Sequence, residues 1–219
     1  MSESVSKLSA KRILISLLII ILIPAGAHYL DRLTQIHDIS LMCAMNIGIS
    51  LLIMYDWNLF GIHYNRSKAN LFDTLLFTLI GCAGITALIW ASNRWLQPVM
   101  VLPDVKIMRA YGYARPGMWV AFSFMQAVLV NMGFKILTDP LKIKTRELQT
   151  ILLTGLLFPL LFTALFTPID IVLLARTYLY NFVLLTLLSY MYNQSHSIMP
   201  GILAMTIVYL GVMITAFIA

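Results

Sequence analysis

Seven times along this chain an apolar run of about 20 residues recurs with few or no formal charges, at residues 13–30, 40–59, 71–90, 117–138, 148–166, 169–190 and 198–217. A helix needs about 20 such residues to cross the hydrocarbon of a bilayer. None of the runs alternates polar and apolar positions as a barrel strand would, so their backbone groups must be satisfied within helices. The expectation is an all-α polytopic bundle of about seven transmembrane helices. Composition agrees: 60% of the 219 residues are hydrophobic, 11% are charged and mean hydropathy is +0.87. A soluble domain carries about 25% charge, and a chain so committed to the membrane has no room for a soluble catalytic domain.

Fifteen Lys and Arg against nine acids give a formal charge of +6. In such an apolar chain these charges belong at membrane surfaces facing anionic lipid, and they do not mark a nucleic-acid site. With the N-terminus cytosolic, the inner segments hold Lys7, Lys11, Arg12, Arg66, Lys68, Lys142, Lys144 and Arg146; the outer ones hold Arg32, Arg94, Lys106, Arg109 and Arg115. That excess predicts a cytosolic N-terminus and an outer C-terminus. The apolar segment 97–103 is too short to cross and leads into the basic stretch 104–116, an interfacial or re-entrant piece that divides an N-terminal part (1–116) from a C-terminal core (117–219). Lys11-Arg12 before a short apolar run and Ala25-Gly26-Ala27 imitates a cleavable signal, while Pro24 and the apolar residues around it fit an uncleaved anchor equally well.

Ionisable residues inside spans are the usual functional suspects. Asp56 falls in the last turn of the second run, near enough to the cytosolic surface to be hydrated. Asp73 and Asp170 open helices, where an acid complements the dipole. Arg176 is a bundle-facing or snorkelling side chain, and Lys135 can snorkel, with Asn131 one turn back on the same face. The histidines, His28, His37, His63 and His196, fall in or beside loops. Only His28 and Asp31 share a metal-ligand spacing, without a third ligand nearby. Cys43 and Cys82 have no paired-cysteine spacing and serve as packing residues. No Gly-x-Ser-x-Gly elbow occurs, and Ser189 or Ser197 near His196 marks a polar turn. Ala44 with Gly48, and Gly81 with Gly84, permit close helix contacts.

Three blocks in the C-terminal half carry a resemblance. Val130-Asn131-Met132-Gly133-Phe134-Lys135 stands where a Glu-Glu-x-x-Phe-Arg-Gly block would, keeping the phenylalanine and a cation. Leu156-Leu157-Phe158-Pro159-Leu160-Leu161-Phe162 fits a Leu-Leu-Phe-x-x-x-His block. Residues 190–209, including Tyr192, Ser197, Ile198, Pro200, Ile202 and Leu203, follow Tyr-x-x-Thr-Gly-Ser-Ile-x-Pro-x-Ile-Leu-x-His-x-x-x-Asn, with Met205 and Tyr209 at the His and Asn positions. From about residue 119 to 209 the chain resembles the CAAX-protease and bacteriocin-processing (Abi) family of intramembrane proteins, as a degenerate member. The acids and imidazoles that family proteases use to activate water are replaced by Val130, Asn131, Phe162 and Met205, and the motif's Asn by Tyr209; Phe162 and Met205 cannot accept a proton.

The resemblance implies a former active-site chamber lined by Asn131, Lys135, Phe158, Phe162, Met205 and Tyr209, with no catalytic residue, no metal and no cofactor. It implies binding of another membrane protein or a hydrophobic peptide in a bacterial plasma membrane, as in bacteriocin self-immunity or regulation of a membrane partner. Two alternatives are an intramembrane peptidase using the displaced groups Glu147, His196 or Asp170, and a small transporter subunit, for which no internal repeat is evident.

Overall fold

The computed structural model describes residues 9–35, 37–96, 116–142, 146–166 and 170–218. They form helices with no strand among the described residues: α1 (Ala10–Thr34), α2 (His37–Tyr55), α3 (Trp57–Ala69), α4 (Leu71–Trp95), α5 (Pro116–Lys142), α6 (Glu147–Phe166), α7 (Ile171–Ser195) and α8 (Met199–Ile218). Five helices, α1, α4, α5, α6 and α7, hold stretches long and apolar enough to cross a membrane by themselves, and the count is up to six if α2 and α3 are taken as one bent span. In α8 the apolar stretch Met199–Thr215 is shorter. A multi-pass helical membrane protein is the architecture these lengths support. The segment 97–103 and residues 104–115, read from sequence as an interfacial or re-entrant piece, lie outside the described residues.

Local chemistry fixes the helix ends. Ser9 caps α1 by accepting the Arg12 N–H at 3.3 Å, and Asp170 caps α7 by accepting that of Leu173 at 2.9 Å. Gln35 and His196 end α1 and α7 in the left-handed region (φ 57° and 53°), the usual way to turn the chain out of a helix. Ser195 and Ser197 then satisfy the backbone between α7 and α8: Ser197 N–H donates to Ser195 Oγ at 3.3 Å, and Met199 N–H to Ser197 Oγ at 3.2 Å.

The second apolar run does not continue to residue 59. It breaks at Asp56, and α3 leaves α2 at 81°, running across the end of the bundle. The 19 residues of α2 already reach about 28 Å at 1.5 Å per residue, so the bilayer can be crossed before the bend. Polar residues at Asn58, His63, Asn65, Arg66 and Lys68 explain why α3 does not prolong the span. It is held to the α7–α8 turn by the Ser67 and Ser197 hydroxyls at 2.8 Å, by Ser197 Oγ donating to the His63 carbonyl at 2.9 Å, and by Arg66 donating to the His196 carbonyl at 3.3 Å.

Small residues set the close approaches. A Cβ on Gly48 would collide with Ile23 of α1, and one on Gly81 with Met191 of α7 and Ala204 of α8. The core lies along α5, with Phe122, Leu129, Met132 and Phe134 buried against α7 and α8 residues such as Leu188, Met191 and Ala204. Helices from both sides of residue 116 therefore share one interior: α2 meets α5, and α4 meets α7 and α8.

Candidate functional site

Every residue of the expected chamber is buried: Asn131, Lys135, Phe158, Phe162, Met205 and Tyr209. Asn131 and Lys135 sit one turn apart on α5. The Asn131 amide donates to the Ala127 carbonyl at 2.8 Å and to the Met205 sulfur on α8 at 3.3 Å. Its Oδ1 is buried with no hydrogen-bond partner among the described residues, and it lies where a Cβ on Gly201 would go. Phe158 and Phe162 pack with ring centroids 6.1 Å apart, and Phe158 lies over Gly133 of α5. Tyr209 sits against Tyr180 of α7. The structure thus joins Asn131 to Met205, Phe158 to Phe162, and α5 to α6 and α8. Two cavities open on the α1 side of the molecule, and none of the six residues lines either.

Lys135 corrects the sequence reading. It does not snorkel; it is buried and ion-paired with Asp139 one turn on, and its ammonium lies 4.9 Å from the Tyr192 ring centroid. Pairing leaves a neutral unit in a region where a lone ammonium would be costly. The cation–π contact adds an attraction that strengthens when water is excluded. Tyr192 is in turn edge-on to His63 at 5.8 Å and Phe134 at 6.0 Å.

His63 also departs from expectation. It is mid-helix in α3, 1% exposed, with neither ring nitrogen hydrogen-bonded among the described residues. Burial, then the neighbouring Lys135 and Arg66 charges, lower its pKa to about 3, so the imidazole is neutral at physiological pH.

The third correction concerns Asp56, which is not hydrated but 0% exposed. Its carboxylate accepts from Arg12 Nε at 2.5 Å and Ser16 Oγ at 2.7 Å, while Arg12 Nη2 reaches the Tyr55 carbonyl at 3.2 Å. The α2–α3 bend therefore sits on an ion pair whose carboxylate is buried and whose guanidinium is partly exposed. Arg176 is exposed rather than facing the bundle, and Cys43 is exposed while Cys82 is half-buried. Asp170 caps α7 as its position suggests.

The sequence contained a local signal for Asp139, since Lys135 and Asp139 are four apart and share a helix face. It contained none for Arg12 with Asp56, 44 residues apart, or for His63 with Tyr192. Among the described residues no three His, Cys, Asp or Glu side chains come together as metal ligands. Glu147 and His196 lie at the α3 end of the bundle, and Asp170 lies at the other end of α7, about 39 Å from His196 by helix rise. Comparison with known proteins finds no matching family model, no matching curated protein and no matching solved structure.

Proposed function

We propose that this chain is a non-catalytic, seven-span membrane protein of the CAAX-protease and bacteriocin-processing type, acting by binding a membrane protein or hydrophobic peptide in a bacterial plasma membrane. The observation that carries the reading is the Asn131–Met205 contact. Two positions that the resemblance assigns to reactive groups face each other across α5 and α8, occupied by an amide and a thioether at 3.3 Å. An amide does not accept a proton at neutral pH and a thioether is at most a weak acceptor, so this pair supports packing and weak interhelical bonding. Interhelical hydrogen bonds in lipid contribute on the order of 1 kcal/mol each, and affinity for a bound helix would come mainly from shape.

Charge placement supports a cytosolic N-terminus. Lys11, Arg12, Arg66, Lys68 and Arg146 gather at the α3 end of the bundle, against Arg32, Arg94 and Arg176 toward the opposite end. The peptidase alternative is weakened by the separation of Asp170 from Glu147 and His196. The test is hydrolysis by protein in lipid nanodiscs, using prenylated and leader peptides with and without added zinc. No cleavage is expected. Turnover abolished by Glu147→Ala or His196→Ala would overturn the reading.

A further inference from the structure

One face of α1 carries two cavities, the first against α3 and the second against α2. An open cavity of about 480 Å³ lies at the bend, lined by Arg12, Trp57, Asn58, Gly61, Ile62 and Asn65 among others. An apolar cavity of about 230 Å³ follows further along α1, against α2, lined by residues including Ile19, Leu22, Gly26, Leu30, Ile47 and Leu51. Arg12, Ile19, Ile23, Gly26 and Leu30 recur at steps of seven, four, three and four, which keeps them on one stripe of α1. On α2, Tyr55 continues the stripe of Ala44, Gly48 and Leu51 down to the Arg12 guanidinium, which lies 5.9 Å from the Tyr55 ring. By helix rise the apolar cavity begins about 10 Å from Arg12, within one leaflet of a core about 30 Å thick.

We propose that this face of α1 is a binding site for an anionic glycerophospholipid, with the phosphate in the cavity between Arg12 and α3 and an acyl chain in the apolar cavity between α1 and α2. The polar cavity is rich in donors. Arg12 Nη1 and the side-chain amides of Asn58 and Asn65 have no hydrogen-bond partner among the described residues, whereas the carboxylate at hand, Asp56, is taken up by Arg12 and Ser16. A guanidinium with free N–H groups suits a phosphate. Exposed Lys11 beside it adds the charge that favours an anionic lipid over a zwitterionic one. Trp57, 62% exposed at the cavity edge, is placed as aromatic side chains are at headgroup level. The apolar cavity supplies no charge and suits hydrocarbon. This site lies apart from the α5–α8 core and does not depend on whether that core is catalytic.

Two glycines allow each half to be closed without touching Arg12. A Cβ on Gly61 meets nothing within 4 Å, and one on Gly26 meets only the Ala44 Cβ at 3.8 Å. Full-length protein, Gly61→Trp and Gly26→Phe would be purified in detergent and stripped of lipid, then titrated with phosphatidylglycerol, phosphatidylcholine, free glycerol phosphate and a hydrophobic helical peptide. Binding is read by native mass spectrometry, and lipid-free melting temperature controls for folding. Phosphatidylglycerol is expected to bind wild type at least tenfold more tightly than phosphatidylcholine, about 1.4 kcal/mol. Each variant should lose that binding by a similar factor at an unchanged lipid-free melting temperature. Equal binding of both lipids, undiminished phosphatidylglycerol binding in the variants, glycerol phosphate binding as well as the lipid, or displacement of lipid by the peptide would each overturn the proposal. If either variant melts lower, lipid retention by Ile62→Trp, at an exposed position on the same face, decides instead: loss supports the site and retention refutes it.

Discussion

The Arg12–Asp56 pair makes a quantitative asymmetry testable. Asp56 is 0% exposed, while the Arg12 side chain keeps 30% of its surface. Deleting the cation by Arg12→Met strands a carboxylate that cannot reach water and retains only the Ser16 hydroxyl. Breaking a buried pair in this sense costs about 3–5 kcal/mol. Neutralising the acid by Asp56→Asn leaves a side chain of the same shape and an arginine that can swing toward the surface. Its loss is about that of one charged hydrogen bond, roughly 1.5–3 kcal/mol before discounting for the exposed cation. The double variant should be more stable than the sum of the two, with a coupling on the order of 2 kcal/mol. Reversible unfolding in mixed detergent and sodium dodecyl sulfate, followed by circular dichroism, reads all three. The reasoning fails if Asp56→Asn costs as much as Arg12→Met, or if the two effects simply add. Either result would mean that the bend at residue 56 is held by packing alone.

Three other outcomes follow from the same structure. His63 has its pKa lowered to about 3 against about 6.5 in the unfolded chain. The unfolded state therefore binds the extra proton, and stability, full above pH 6.5, falls by up to about 1.4 kcal/mol per pH unit between 6.5 and 3; His63→Leu should flatten that part of a stability–pH profile, and an unchanged slope would count against the buried neutral imidazole. Gly81→Leu, which drives a side chain into Met191 and Ala204, should destabilise by more than about 2 kcal/mol, while Gly211→Ala, inside α8 with nothing within 4 Å of its Cβ, should be neutral or stabilising by up to about 1 kcal/mol; comparable losses for the two would contradict the described α4–α7–α8 contact. Asn181 donates to Thr163 Oγ1 at 2.9 Å across α6 and α7, so Asn181→Leu and Thr163→Val should each cost about 0.6–1.7 kcal/mol and combine to less than their sum in the same unfolding assay.

What could be read from the residues alone was set by hydrocarbon. Runs near 20 residues in length with few or no charges dictate helices, because the backbone has nowhere else to bond, and Asp170 as a cap follows from the α7 N-terminus it precedes. Burial of Asn131, Phe158, Phe162, Met205 and Tyr209 was likewise in keeping with their places in apolar runs. The membrane class, the all-helical architecture and these local ends are properties of short stretches of chain.

Pairing was decided only in three dimensions. Asp56 looked like a hydrated acid near a surface because Arg12 is 44 residues away, and no local pattern announces that a guanidinium will close over it and end the helix there. Lys135 looked free to snorkel until neighbouring helices covered it with Asp139 and Tyr192. His63 looked like a loop residue until α3 turned 81° and laid it against α7. In each case the chain specifies which groups are costly to bury, and tertiary packing determines which of them are buried and which partner offsets the cost.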